Sequence, residues 1–196
     1  MMGPMPLPWE FHPLDGPHVR LEQLREDDFD ALYEIQSDPE VCRYLLYEPR
    51  SAEKVAEVLA RDAPKTRLEN VDDYIQPAIR SRDGSATLIG TMYLNITSVD
   101  DRTAEIGWLV GPRFQGKGYA RQSAELLLDV AFGELGLHRV FAELDPRNAA
   151  SVAVCTRLGM RYEARHLEHM WLKGEWSDTG VYAILEREWR QRDLLA

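Results

Sequence analysis

Residues 104–132, "AEIGWLVGPRFQGKGYARQSAELLLDVAF", decide the fold. The stretch opens as an apolar run of strand character, breaks at Gly111-Pro112 and passes through Gly116-Lys117-Gly118. Apolar residues then resume at helical spacing: Ala120, Ala124, Leu127, Leu128, Ala131 and Phe132 fall at i, i+4, i+7, i+8, i+11 and i+12. That spacing predicts a long amphipathic helix whose stripe packs on a sheet. A strand feeding a glycine-rich turn and then a helix start has a physical consequence. The first turn of a helix offers unpaired N–H groups and a partial positive charge, and glycine lets an anion approach the backbone. Arg113 and Lys117 add charge, so the stretch reads as a phosphate cradle.

Two nucleotide motifs fail here on a single residue each. Gly111 and Gly116-Lys117 fit a GxxxxGK loop, but position 118 is glycine and lacks the hydroxyl that ligates magnesium. A GxGxxG fingerprint needs glycine at 121, where Arg121 stands. A magnesium-dependent nucleotide hydrolase is therefore disfavoured.

Working outward, "HVRLEQL" (18–24) alternates and predicts a strand. Residues 25–38 and "PEVCRYLLY" predict helices, and Ser51 caps a third that carries Val55, Val58 and Leu59 on one face. The period then changes to two. "DYIQPAIR" (73–80) and "ATLIGTMYLNIT" (86–97) flank Asp83-Gly84, a hairpin signal, and "TAEIGWLV" (103–110) makes a further strand. After the long helix, "HRVFAEL" (138–144) predicts a strand and "NAASVAVCTRLGM" (148–160) a helix ending at Gly159. "YEARHLEHMWL" (162–172) and "TGVYAILEREW" (179–189) predict a closing hairpin around Lys173-Gly174. The order implies an α+β protein with a mixed, mostly antiparallel sheet of about six to seven strands flanked by helices. Residues 1–17, with five prolines, predict an irregular arm that packs through Trp9 and Phe11; residues 18–196 predict a single domain.

A net charge of −10 and a pI near 5.0 argue against a nucleic-acid partner and mildly favour a cationic substrate. Two distant cysteines, Cys42 and Cys155, form neither a disulfide framework nor a zinc pattern and suit a cytoplasmic protein. No apolar run is long enough for a membrane span. His166 and His169, three apart in a predicted strand, are expected on opposite faces, which gives no metal site.

Arg113-x-x-Gly116-x-Gly118 resembles the pyrophosphate loop of the GNAT superfamily of acyl-CoA-dependent N-acetyltransferases. "NAASVAVCTRLGM" is similar to that family's Asn-x-x-Ser segment, and the element order matches over residues 17–190. The Asn-x-x-Ser form and the ending "WLKGEWSDTGVYAILEREW" look most like the branch that acetylates ribosomal-protein N-termini. The resemblance implies acetyl-CoA as cosubstrate and no metal. It also implies an acceptor amine, on a small molecule or a protein N-terminus, and a possible homodimer. It implies pyrophosphate binding by the loop residues Arg113, Gln115, Gly116, Lys117, Gly118, Tyr119 and Ala120. A backbone N–H of Leu109 or Val110 would polarise the thioester, and Asn148 would contact the pantetheine arm. Glu105 is the implied base, with Asp100 and Asp101 behind it, and Ser151 the implied proton donor and cofactor contact. One departure stands out: Cys155 occupies the position of the family's usual tyrosine acid. It leaves room for a second reading, a non-catalytic acyl-CoA-binding or regulatory module. That module would turn Glu105 and Ser151 away from the thioester.

Overall fold

The computed structural model describes residues 5–192. Its strands are β1 (Trp9–Glu10), β2 (Leu14–Asp15), β3 (Val19–Glu22), β4 (Arg67–Leu68), β5 (Tyr74–Ile75), β6 (Ala78–Ser81), β7 (Leu88–Ser98), β8 (Thr103–Val110), β9 (Arg139–Leu144), β10 (Arg161–Leu172) and β11 (Glu175–Leu185). Its helices are α1 (Phe29–Gln36), α2 (Pro39–Cys42), α3 (Ala52–Asp62), α4 (Tyr119–Gly133), α5 (Ala149–Arg157) and α6 (Glu186–Gln191). The main sheet runs β10-β11-β9-β8-β7-β6-β3-β2, with β5 also on β7, and β1 pairs separately with β4. All its pairings are antiparallel except β8 with β9. The class is the expected mixed α+β sheet, enlarged to nine strands by short edge pieces.

Those pieces account for two departures from the sequence reading. Pro77 has no N–H to give a ladder, so 73–80 divides into β5 and β6, and the Pro77 carbonyl accepts from the Met92 N–H at 2.8 Å. The segment read as an irregular arm contains β1 and β2, anchored by the Trp9 indole donating to Glu134 at 2.8 Å. The helix expected over "PEVCRYLLY" ends at Cys42, after which the chain turns through residues 43–47. The last strand stops at Leu185, where its N–H donates to the Glu188 carboxylate and starts α6 instead.

The core lies between the sheet and α4. Leu127, Leu128 and Ala131 pack on Ile106, Leu94, Ile96 and Val140, all fully buried or nearly so. A second apolar layer, Leu24, Leu32, Val55 and Leu59, holds α1 and α3 on the other face.

One topological detail makes the site. Strands β8 and β9 pair only at Thr103–Arg139, Ala104–Val140 and Glu105–Phe141, then part. On the other side β8 stays paired to β7 up to Val110, and the Gly111 N–H donates to Ile89 at 2.9 Å. Antiparallel alternation then turns the N–H groups of Leu109 and Gly107 toward β7 and those of Val110 and Trp108 toward the gap.

Candidate active site

The gap between β8 and β9 opens into a cleft of ≈ 890 Å³. Its floor is Glu105 to Trp108 and Ala142 to Asp145; the N-terminal part of α5 contributes Asn148 and Ser151. Its roof comes from both ends of the chain: Tyr44, Leu45 and Leu46 after α2, and Met170 and Leu172 on β10. Glu105 and Ser151, forty-six residues apart in the sequence, therefore line one cavity.

Glu105 is half-buried and accepts no hydrogen bond among the described residues. Burial pushes its carboxyl pKa above the ordinary value, and the nearby charge of Glu143 pushes the same way. Glu143 sits two residues beyond Phe141, the residue paired with Glu105, so the two carboxylates share a face of the sheet. Ser151 Oγ accepts from Trp108 Nε1 at 3.3 Å, which leaves the serine proton free to donate. Asn148 caps α5: its Oδ1 accepts from the Ser151 N–H at 3.1 Å. The cap fixes Ser151 in the first turn, facing the cleft.

Cys155 is a core residue. It is 0% exposed, and burial pushes its thiol up to about 12, so a packed thiol stands at the position of the family's usual tyrosine. Asp101 closes the β7–β8 turn by accepting from Ser98 Oγ at 2.9 Å; neither it nor Asp100 lines the cleft.

The glycine-rich loop lies beyond the β8 end. Gly116 and Gly118 have φ of +73° and +81°, in the left-handed region that only glycine enters freely. Gln115 Nε2 donates to the Val110 carbonyl at 3.2 Å and ties the loop to the strand. Among the described residues the N–H groups of 116–121 have no acceptor; the ladder of α4 begins with Gln122 donating to Gly118 at 3.0 Å. Six consecutive free donors at a helix start, with Lys117 beside them, form an anion cradle. Arg113 points elsewhere, to Glu34 at 3.0 Å, an exposed pair of little worth that a phosphate can displace.

The histidines differ from expectation. Two extra residues bulge out of β10 between His166 and Met170, with Glu168 at φ +47°. The bulge breaks the alternation and brings the two rings to 5.2 Å, not to opposite faces. Among the described residues no group of three or more His, Cys, Asp or Glu is arranged to hold a metal ion. No helix among them is long and apolar enough to cross a membrane.

Sequence reading missed Glu143, Trp108 and the roof. Glu143 was open to detection, because parallel pairing of 103–105 with 139–141 puts it beside Glu105. The roof had no local signal, since it depends on the return of β10 to α2.

The acetyltransferase (GNAT) domain family matches residues 18–161. The uncharacterized N-acetyltransferase YnaD of Bacillus subtilis is 35% identical over 170 residues, 86% of this chain and 94% of its own. Spermidine N(1)-acetyltransferase of Vibrio cholerae is 23% identical over 89% of this chain and 96% of its own. A GNAT-family acetyltransferase structure from Bacillus anthracis superposes with TM-score 0.80 at 26% identity, covering 90% of this chain and all of that one. This chain belongs to the GNAT family of N-acetyltransferases.

Proposed function

We propose that the protein moves the acetyl group of acetyl-CoA directly to a primary amine. The observation that carries this reading is the pairing of two features along β8, one at the turn that follows it and one completed by α5. A cradle of free N–H groups lies at 116–121, and the cleft beside it holds Glu105 and Ser151. The residues fit the cosubstrate: Gln115, Gly116, Lys117, Gly118, Tyr119 and Ala120 hold the pyrophosphate, with Arg113 swinging from Glu34. The free edge of β8 at Trp108 pairs with the pantetheine amides, with Asn148 and Ser151 across the cleft. Bound there, acetyl-CoA supplies an activated thioester.

Glu105 takes a proton from the acceptor ammonium, directly or through water, and its raised pKa suits that task near neutral pH. The Val110 N–H, not that of Leu109, faces the gap and stabilises the negative charge developing on the thioester oxygen. A carbon–nitrogen bond forms and the carbon–sulfur bond breaks. The leaving sulfur takes a proton from Ser151, which recovers one from the acetylated nitrogen through solvent. The sum is an amide, CoA thiol and one released proton.

Glu105 and Ser151 facing the same cavity favour an enzyme over a non-catalytic acyl-CoA-binding module. The acceptor is a protein N-terminus or a small-molecule amine. Two further parts of the reading rest on smaller observations. The free buried thiols Cys42 and Cys155 fit a reducing cytoplasm. A homodimer fits the exposed Tyr162, Leu167, Trp171 and Trp176 on the β10–β11 hairpin, with sedimentation as its check.

Calorimetric titration of acetyl-CoA into the metal-free protein tests the core of the reading, with ATP·Mg²⁺ as control. Micromolar binding, on the order of −8 kcal/mol, and silence with ATP are expected. No acetyl-CoA binding would remove every role assigned above.

A further inference from the structure

A second cavity, ≈ 580 Å³, lies on the α1/α3 face of the sheet. It shares Leu45, Gly107 and Trp108 with the first cleft, so the two meet at the β8 backbone. Its chemistry is different. Where the first cleft carries Glu105 and Glu143, carboxylates with no ion pair among the described residues, this one carries a guanidinium. Arg50 has no ion pair among the described residues. It is nevertheless held firmly: Nη1 donates to Gln36 Oε1 at 2.7 Å, its backbone N–H donates to the Gln36 carbonyl at 2.9 Å, and its guanidinium stacks 3.6 Å from the Tyr47 ring. Gln36 itself is 1% exposed.

Around Arg50 stand polar groups that make no hydrogen bond to the protein among the described residues. Thr91 is 2% exposed, lines the cavity, and its hydroxyl has no partner among the described residues. The same holds for the phenols of Tyr47 and Tyr93 and the amide of Gln76. Burial pushes both phenols up to about 12, which keeps them as neutral donors. The other cation in the cavity, Arg61, is already neutralised by Asp62 at 2.7 and 2.9 Å, and Asp62 also accepts from the Tyr74 hydroxyl at 2.7 Å. An anchored guanidinium with a free edge is the group that receives a planar carboxylate.

We propose that this second cavity is a carboxylate subsite, and that the acceptor is a small amino-carboxylate of the free amino-acid type. Its amine reaches the Glu105 side of Gly107 while its carboxylate lies on Arg50, Thr91 and the two phenols. Such a zwitterion matches the opposite charges of the joined cavities; a polyamine places a cation against Arg50 instead. The proposal rests on the acetyl-transfer reading for the identity of the reaction, but makes its own claim about recognition.

The test uses the full chain with acetyl-CoA and scores CoA thiol release. The panel comprises the twenty common L-amino acids, their carboxamides, their decarboxylated amines and spermidine, with acetyl-CoA binding measured separately by calorimetry. At least one amino acid is expected to exceed its carboxamide and its decarboxylated amine by tenfold or more in kcat/KM. Arg50→Gln should erase that preference by raising the amino-acid KM, Arg50→Lys should restore part of it, and the near-isosteric Thr91→Val should reduce it several-fold. Thermal melts of the three variants separate misfolding from lost recognition, and Thr91→Val carries the test if Arg50→Gln fails to fold. Equal or better turnover of carboxamides or spermidine overturns the subsite and leaves acetyl transfer standing. Acetyl-CoA binding with no amino acid turned over does the same. Absence of acetyl-CoA binding brings down both.

Discussion

Glu105, the base we propose, is the residue on which activity and stability are expected to pull in opposite directions. Its pKa is raised in the folded chain by burial first and by Glu143 second. The folded state therefore holds this proton more tightly than the unfolded state does. Stability falls as pH rises from the ordinary carboxyl value through the raised one, because the folded chain must then carry a desolvated charge. The role proposed for it as a base, however, requires the deprotonated form. Glu105→Gln should thus melt higher than the parent at pH 8, by about 2–4 °C for each kcal/mol relieved, while kcat drops by about 10²–10⁴-fold. Differential scanning calorimetry beside steady-state kinetics reads both, and a variant that loses stability as well as activity would count against a desolvated base. Glu143→Gln makes a complementary case. Removing the like charge lowers the Glu105 pKa, so the acid limb of the kcat/KM profile should move to lower pH. An unmoved limb would mean that another group titrates there. Ser151→Ala should lower kcat more than it weakens acetyl-CoA binding, and equal effects on both would deny it the proton-donor role. The family resemblance pointed to Glu105 and Ser151, and strand alternation and the Asn-x-x-Ser helix start are the local signals that place them. It did not expose Trp108 as the donor that orients Ser151, since that contact spans two elements.

At the scale of elements, glycines set how closely backbone can approach. A Cβ on Gly90 would sit 1.9 Å from the Leu109 carbonyl oxygen, directly opposite the β8 end where Val110 turns its N–H to the gap. Backbone cannot give way as a side chain can, so Gly90→Ala must spread β7 from β8. A loss of about 1–3 kcal/mol is expected, together with impaired turnover, measured by urea denaturation and thiol release. Gly116 is the opposite case. At φ +73° its Cβ would meet nothing within 4 Å, so Gly116→Val costs the fold only backbone strain, about 1–2 kcal/mol. A branched side chain beside the free N–H groups should nevertheless abolish acetyl-CoA binding. Retained binding in a folded Gly116→Val protein would show that the loop holds no pyrophosphate. These elements were legible because the change of period from two to 3.6 at Gly111 belongs to the chain itself. The edge strands and the β10 bulge were not. A two-residue strand has no period to read, and a bulge cancels the alternation that reading depends on.

Across the whole molecule, the site exists because distant segments return to one strand. The β8–β9 gap follows from parallel pairing that stops at Glu105, and its roof joins the turn after α2 to the β10–β11 hairpin. Lys173, at the hairpin tip, donates to the carbonyls of Cys42 and Arg43, and Arg147 bridges to Glu175 at 2.7 Å. These contacts hold Tyr44, Leu45 and Leu46 over the cleft, on the side where we propose that the acceptor binds. No pattern within one element announces such a closure; it depends on residues about 130 positions apart meeting in space. Lys173→Ala removes the ammonium and leaves two carbonyls to water. Loss of a charge-assisted bond is worth about 1.5–3 kcal/mol when fully made, and partial exposure of this tip reduces that. The acceptor KM should therefore rise by about threefold to tenfold, since about 1.4 kcal/mol is tenfold in an equilibrium. The acetyl-CoA dissociation constant should stay where it was, because among the described residues no hydrogen bond or ion pair joins the loop at 113–121 to the hairpin. Two-substrate kinetics with calorimetry on the same preparation separates the two effects. If both constants weaken together, the hairpin stabilises the domain as a whole. If neither moves, the roof does not hold the acceptor.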